Sequence, residues 1–353
     1  MRNAQRYYPR MTDIAHLNLA AGFRGGERQT QLLVEHLAAL GFRQRLIVRK
    51  NAELAARMRG QPDLDLVEVG GIFAAARAVR DARLSHAHEG RCVQASALAR
   101  LLGNAPYVIT RRVTRPLKRN PVTRAIYRNA AALVGLSSAI VSDLNDYSGH
   151  ATAVRIPSAL TPVDATATVS RELRERFGPG PIIGNVGALI IRHKGQDTLV
   201  EVARRRPDWR IVLVGSGSDE STLKSLASDL TNMHFTGQVE DVASHLAAFD
   251  IFAFPSRFEG LGSIVLDAMY QRVPVVASAV DGLPDLVEHE KTGLLVPPRD
   301  AAALESAIDR MLSDTDLQAR CVAGASHKMN EFTPARMAES YTALYASLGV
   351  EPR

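Results

Sequence analysis

The stretch Pro255–Ser278, PSRFEGLGSIVLDAMYQRVPVVAS, restricts the fold more than any other part of the chain. An apolar segment with strand character, Phe249 to Phe254, runs into it, and a glycine-rich turn follows at Glu259–Gly262. A helical pattern then starts near Ser263, and a second apolar segment spans Pro274 to Ala277. Strand, tight turn, buried helix and strand in that order make one unit of a parallel α/β sheet. Ligands of such sheets bind at the carboxyl ends of the strands, where this turn falls.

The same alternation fills the rest of the chain. Ile14–Leu19, Leu46–Val48, Tyr107–Thr110 and Leu133–Leu136 read as strands of a first series, with helical patterns between them, such as Gln31–Leu40. The polar segment Thr161–Ser170, without helical periodicity, separates it from a second series. That series has strands at Ile182–Val186, Ile211–Val214, His234–Thr236, Ile251–Phe254 and Val275–Ala277, with a short one at Gly293–Val296. The 353 residues suffice for two cores, which predicts Rossmann-like domains over 1–165 and 166–333. The tail is amphipathic, with Met337, Tyr341, Leu344 and Tyr345 spaced for one helix face. No apolar run is long enough to span a membrane, and MRNAQRYYPR lacks the apolar centre of a signal peptide. Cys92 and Cys321 fit no metal spacing. These features favour the cytosol.

The turn implies a ligand. Gly260 and Gly262 carry no Cβ, so backbone can approach a ligand closely there. A helix opening at Ser263 offers unpaired amides and a dipole that favours anions. Asp267 lies four residues further on, roughly 6 Å along the axis, and its side chain tilts back toward the same mouth. Carboxylates accept hydrogen bonds from vicinal hydroxyls. Two of them flanking an anion site suit a diphosphate with a polyol at each end, which describes a nucleotide-sugar.

The window closely resembles the signature of the family 4 retaining glycosyltransferases, with Asp267 where that family has glutamate. The resemblance implies a GT-B fold, two Rossmann-like domains facing across a cleft, with the last helix, 334–353, packing back on the first domain. It also implies that Glu259 faces the donor sugar and that Asp267 binds the ribose, with Gly260, Leu261, Gly262 and Ser263 around the donor. GALIIRHKG, Gly187–Gly195, resembles the family's diphosphate loop. Lys194 matches its lysine, and Ala188 replaces its arginine, for which Arg192 is a substitute cation. Gly25–Gly26 reads either as a phosphate or acceptor loop or as a plain helix N-terminus, and the resemblance favours a loop lining the cleft from the first domain; His88 of HAHEG matches the family histidine that reaches the donor sugar, and Val239 the backbone contact to the base. UDP, GDP and ADP are not distinguished. No metal or other cofactor is expected, and Asp63–Leu64–Asp65 is read as a chance D-x-D.

Charge adds a second signal. No acidic residue occurs from 90 to 142, and Arg111, Arg112, Arg115, Lys118 and Arg119 cluster there. Such a patch suits an anionic lipid surface or a phosphorylated glycolipid, while scarce aromatics argue against nucleic acid. The resulting expectation is a metal-independent, retaining glycosyltransferase peripheral at the inner membrane. It would transfer sugar to a glycolipid or glycan acceptor in lipopolysaccharide core or other envelope synthesis. A sugar-nucleotide epimerase on the same scaffold and a non-catalytic nucleotide-sugar-binding protein remain alternatives.

Overall fold

A computed structural model of the chain describes residues 12–103, 105–114, 117, 120–149 and 152–352. Its backbone forms two compact units. The first runs to Leu136 and includes Val141–Ile156 and the chain from Pro334 onward; the second holds Ser137–Ile140 and Pro157–Thr333.

The first unit contains seven strands: β1 (Thr12–Asn18), β2 (Gln44–Arg49), β3 (Leu64–Val69), β4 (Ala82–Ala87), β5 (Tyr107–Arg111), β6 (Ala132–Gly135) and β7 (Val154–Arg155). They pair in parallel in the order β3-β2-β1-β4-β5-β6-β7. The second unit contains β8 (Ile182–Val186), β9 (Arg210–Val214), β10 (Met233–Gly237), β11 (Ile251–Phe254), β12 (Val275–Ser278) and β13 (Leu294–Val296). Their order is β10-β9-β8-β11-β12-β13, again parallel throughout. In both sheets the chain starts in the middle, winds to one edge, and returns to wind to the other. The strand order therefore reverses beside β1 and β4 in one unit and beside β8 and β11 in the other. Crevices at such reversals are where Rossmann-type folds hold ligands.

The central strands are buried on both faces, which explains why they read as continuous apolar runs. Ile14, Ala15 and Leu17 on β1 and every residue of β11 and β12 are enclosed. Trp209 anchors the second core with Ile211, Leu304 and Met311, while Arg206 stacks 3.9 Å over its ring.

Two boundaries differ from expectation. The units divide between Ile156 and Pro157, not near 165. The connecting segment is fastened to the second unit by hydrogen bonds from Leu160 N–H to Phe332 O (2.6 Å), Tyr270 Oη to Asp164 (2.7 Å) and Thr166 N–H to Ser244 Oγ (2.8 Å). Composition is blind to such ties. Within the segment expected to be irregular, a helix begins at Ala167 and runs to Phe177. It buries Ser170, Leu173 and Phe177, so a serine stands in its apolar stripe and masks the periodicity. The helix Pro334–Ser347 packs in the first unit, with Tyr341 and Tyr345 fully buried and the Tyr345 ring edge-on to Phe42.

Candidate functional site

In the second unit the loops after β8 and β11 meet. After β8 the chain turns through a four-residue helix, Ile191–Lys194, and reaches Gly195 at φ +64°. A Cβ on Gly195 would lie 2.3 Å from Pro255 O, so only glycine lets the β8 loop press this close to the end of β11. The amides of Arg257 and Phe258 both donate to His193 O (2.8 and 3.2 Å), and Arg257 reaches Asp197 at 2.6 Å. This zipper brings Lys194 Nζ onto Glu259 Oε2 in an ion pair, with Nζ also 5.0 Å from the centre of the Phe254 ring. Both side chains are part-exposed at the loop surface, 22% for Lys194 and 15% for Glu259. A ligand arriving there can therefore be touched by both.

The Glu259 backbone is fixed from the other side. Its N–H donates to Asp281 Oδ2 (2.9 Å), and its carbonyl accepts from Gly282 N–H (3.3 Å). Gly262 then takes φ +83°, where a Cβ would lie 2.6 Å from Leu283 Cδ2 and 3.2 Å from Glu259 Cγ. Through this turn the amides of Gly260, Leu261, Gly262 and Ser263 make no hydrogen bond among the described residues. Ser263 stands at the start of the helix Ile264–Tyr270 without a side-chain cap bond, and the helix's first turn carries the half-buried Asp267. Four successive unpaired amides, a lysine and two carboxylates suit a ligand with an anionic middle and hydroxylated ends.

Other expected positions differ in kind. Arg192 is exposed and makes no ion pair among the described residues. The Gly187 amide is committed to Val214 O (2.9 Å), so that glycine serves the loop's own geometry. Val239 is half-buried in the loop after β10.

The corresponding reversal in the first unit is occupied by histidines. His16 on β1 pairs in register with His86 on β4, and His88 follows one residue past the strand end. His16 Nδ1 lies 3.0 Å from His88 Nε2, and His16 Nε2 lies 3.1 Å from Gln44 Oε1. His86 bonds Tyr345 Oη through Nδ1 and Thr110 Oγ1 through Nε2, both at 2.7 Å, and Thr110 bonds Tyr341 Oη at 2.8 Å. Burial holds all three rings neutral: it pulls His16 down to about 3, and His86 and His88 well below the usual histidine range. His88 is 3% exposed, and its Nδ1 is buried without a hydrogen-bond partner. Leaving such an acceptor unpaired costs about 1–3 kcal/mol. The three rings are the one group among the described residues with the spacing of metal ligands. Five of their six nitrogens are spent on one another and on Gln44, Tyr345 and Thr110, with His88 Nδ1 left over, so they form a hydrogen-bond network.

Gly25 and Gly26 are the first two residues of the helix Gly25–Ala39, not a separate loop. Glu27 closes the helix start by accepting from Arg24 N–H at 2.8 Å. The basic cluster needs correction. Arg112 is turned into the fold: its Cδ lies 3.6 Å from a Cβ position on Gly26, and its Nε is enclosed without a partner. Burial lowers its pKa, against the pull of Tyr341 and Glu27. Arg111 hydrogen-bonds Tyr127. Arg115, Lys118 and Arg119 lie outside the described residues. In the D-x-D triplet, Asp65 is held by Arg45 at 2.5 Å. Asp281, Asp197, His16 and Gln44 went unnoticed in the sequence, because each earns its place through a partner distant in the chain.

Two parallel sheets with reversed strand order, one carrying a turn of unpaired amides and a Lys–Glu pair, define an α/β protein of Rossmann type. Residues 180–314 match the family described as Glycosyl transferases group 1. The chain is 35% identical, over 59% of its length and 58% of the relative, to a GDP-mannose-dependent monoacylated alpha-(1-6)-phosphatidylinositol monomannoside mannosyltransferase of Corynebacterium glutamicum. It is 28% identical, over 64% of its length and 67% of the relative, to the lipopolysaccharide core biosynthesis glycosyltransferase LpsE of Rhizobium meliloti. The chain thus spans less than two thirds of the first of these relatives. Among solved structures, Anabaena HepE in complex with UDP superposes with TM-score 0.82 at 17% identity, over 95% of this chain and all of that one. Sucrose-phosphate synthase from Thermosynechococcus elongatus gives 0.82 at 23%, over 96% and 99%. The chain has the GT-B fold, and residues 180–314 carry its likeness to the group 1 glycosyl transferases.

Proposed function

We propose that the chain is a retaining, metal-independent glycosyltransferase that moves a sugar from a nucleotide-sugar to a hydroxyl of an envelope glycan or glycolipid. The observation that carries this reading is the Lys194–Glu259 pair set beside four unpaired amides at the β8–β11 reversal. When the bond between sugar and diphosphate breaks, negative charge grows on the diphosphate. Lys194 and the amides of 260–263 stabilise that charge, with Arg192 within the same loop as a second cation. Glu259 accepts hydrogen bonds from the sugar, and Asp267 from the ribose. The acceptor hydroxyl attacks the face the diphosphate leaves, and a phosphate oxygen takes its proton, so configuration is kept without a protein nucleophile. GDP-mannose is a reasonable first donor to try, since the first relative described uses it.

Thermal shift with a panel of UDP-, GDP- and ADP-sugars selects the donor. Incubation of that donor with glycolipid acceptors should yield a glycoside with the donor's anomeric configuration, at the same rate in chelator. An isomerised sugar-nucleotide in place of a glycoside would make the protein an epimerase. Tight donor binding with neither transfer nor donor hydrolysis would make it a binding protein.

The setting of the acceptor has support of its own. No helix among the described residues is long and apolar enough to cross a membrane. Yet Phe73, Leu101 and Leu102 are 81%, 83% and 65% exposed on the first unit. Phe73 and Leu102 share a surface hollow with Arg77 and Arg80. Apolar side chains beside arginines suit an interface of anionic headgroups and acyl chains, and we propose this face, more than the basic cluster, as the contact with an anionic membrane.

A further inference from the structure

The loops that carry Lys194 and Glu259 leave the carboxyl ends of β8 and β11. At the amino ends of the same sheet, where Pro181, Asp250 and Pro274 lead into β8, β11 and β12, the second unit has a cavity of about 740 Å³. That volume accommodates one small organic molecule. Three of its lining side chains are ionisable: Arg174, Asp250 and Arg272. Arg174 donates to Asp250 Oδ1 at 2.9 Å and to Ala248 O at 2.8 Å, and Ile182 N–H donates to Asp250 Oδ2 at 2.8 Å. The carboxylate is therefore balanced by one arginine and held on both oxygens. Arg272 is exposed, and its side chain makes no ion pair or hydrogen bond among the described residues. One positive charge in the cavity is left unanswered, beside an apolar wall that includes Leu312 and Val322.

The backbone at Arg272 is strained. The helix Ile264–Tyr270 closes with Val273 N–H bonded to Ala268 O (3.0 Å) and Arg272 N–H bonded to Met269 O (2.9 Å). This closing motif puts Arg272 in the left-handed region, at φ +59°. Glycine adopts that conformation freely, whereas the Cβ of an arginine crowds its own backbone. What the strained residue brings is a guanidinium at the cavity. We propose that this cavity is an effector site for a phosphorylated small molecule, held by Arg272 and Arg174 and coupled to the Glu259 turn through the helix Ile264–Tyr270. Arg272 has all its N–H groups free of protein partners, and Arg174 has some beyond its two bonds. Guanidinium forks match phosphate oxygens in charge and in shape. The route to the turn is short. The helix has seven residues, roughly 10 Å of length, and starts directly after the unpaired amides of 260–263. Its last turn holds Asp267 O through Gln271 N–H at 3.1 Å, so a ligand that draws on Arg272 displaces the backbone that carries Asp267. The effect on a sugar donor rests on the transferase reading above, and the anion site does not.

Titration calorimetry with glucose 6-phosphate tests the site, and glucose and inorganic phosphate separate the organic body from the anion. Glucose 6-phosphate should bind more tightly than inorganic phosphate, and glucose should not bind. Arg272→Gly should weaken glucose 6-phosphate by about tenfold or more, the scale of a lost hydrogen bond to a charged group. The same change should raise the melting temperature of the ligand-free protein, because it relieves the left-handed arginine. Arg272→Lys keeps the charge without the fork and should fall between. Lys194→Ala removes the cation at the opposite edge of the sheet and should leave this binding unchanged. Glucose 6-phosphate should also shift the KM for the nucleotide-sugar several-fold in the unaltered protein, and not in Arg272→Gly. Failure of both phosphates to bind overturns the proposal. So does binding that survives Arg272→Gly, or binding that Lys194→Ala abolishes. Inorganic phosphate binding as tightly as glucose 6-phosphate keeps the anion site and overturns the organic ligand. Binding that depends on Arg272 with an unmoved nucleotide-sugar KM overturns the effector role. If that binding is present but the protein transfers no sugar, the transferase reading fails and the anion site stands.

Discussion

The two units answer the same topological opportunity with opposite chemistry. At the β8–β11 reversal the second unit sets a charged lysine and glutamate at a part-exposed surface, on loops shaped by glycine. At the β1–β4 reversal the first unit sets three neutral, enclosed histidines, each hydrogen-bonded to a neighbouring side chain. Charge tolerates imperfect geometry because it acts over distance, and water supports it in the absence of a ligand. A neutral network does neither, so it must be built into the core. The comparison teaches that equivalent positions in two Rossmann sheets need not do equivalent work. One suits the leaving diphosphate, the other the direction of single hydrogen bonds.

Removing the charged side should have the largest effect. Lys194→Ala or Glu259→Ala should lower kcat by about 100–1,000-fold, the scale for losing one group aimed at developing charge. Circular dichroism should stay unchanged, since both residues lie on part-exposed loops. Near-normal turnover in either variant breaks the contrast. Gly262→Ala tests how tightly the charged loop is shaped. Its φ of +83° and the crowding against Leu283 should cost about 1–3 kcal/mol in urea unfolding, with donor affinity falling in parallel. The histidine side predicts a pH response. His16 is pulled down to about 3, so between pH 6.5 and 3 the unfolded chain binds a proton that the fold refuses. Its contribution is fully present above pH 6.5 and shrinks as pH falls through that window. At pH 5 the loss should reach about 2 kcal/mol from His16, with His86 and His88 acting in the same direction. Equal urea midpoints at pH 7 and pH 5 would contradict neutral burial. The smallest effect belongs to the surface of the first unit. The triple change Phe73→Ser, Leu101→Ser and Leu102→Ser should weaken flotation with anionic vesicles several-fold and leave transfer to a soluble acceptor intact. Undiminished flotation would return the membrane contact to the basic cluster.

How much could be read in advance follows from the same contrast. Glu259, Lys194 and Gly262 sit in short windows where strand, turn and helix are adjacent in sequence, so spacing alone announces them. Asp281 lies 22 residues beyond Glu259 in sequence and reaches it through one amide, a contact no local pattern encodes. The histidine network is more distant still. His16, Gln44, His86 and Tyr345 belong to four elements that only the folded sheet and the helix Pro334–Ser347 bring together. Arg112 shows the opposite failure. A run of basic residues suggested a patch facing an anionic lipid surface, yet this member is folded inward beside Gly26. The strands themselves were plain because both faces of a parallel sheet are apolar.

The placement of Pro334–Ser347 also governs how the protein is made. Tyr345 and Tyr341 close over the sheet begun by residues 12–18, bonding His86 and Thr110 there. During synthesis the second unit can complete its own core while the first still lacks this covering helix and holds histidine nitrogens unmatched. Translation order and folding order therefore run against each other: the first unit started is the last one finished.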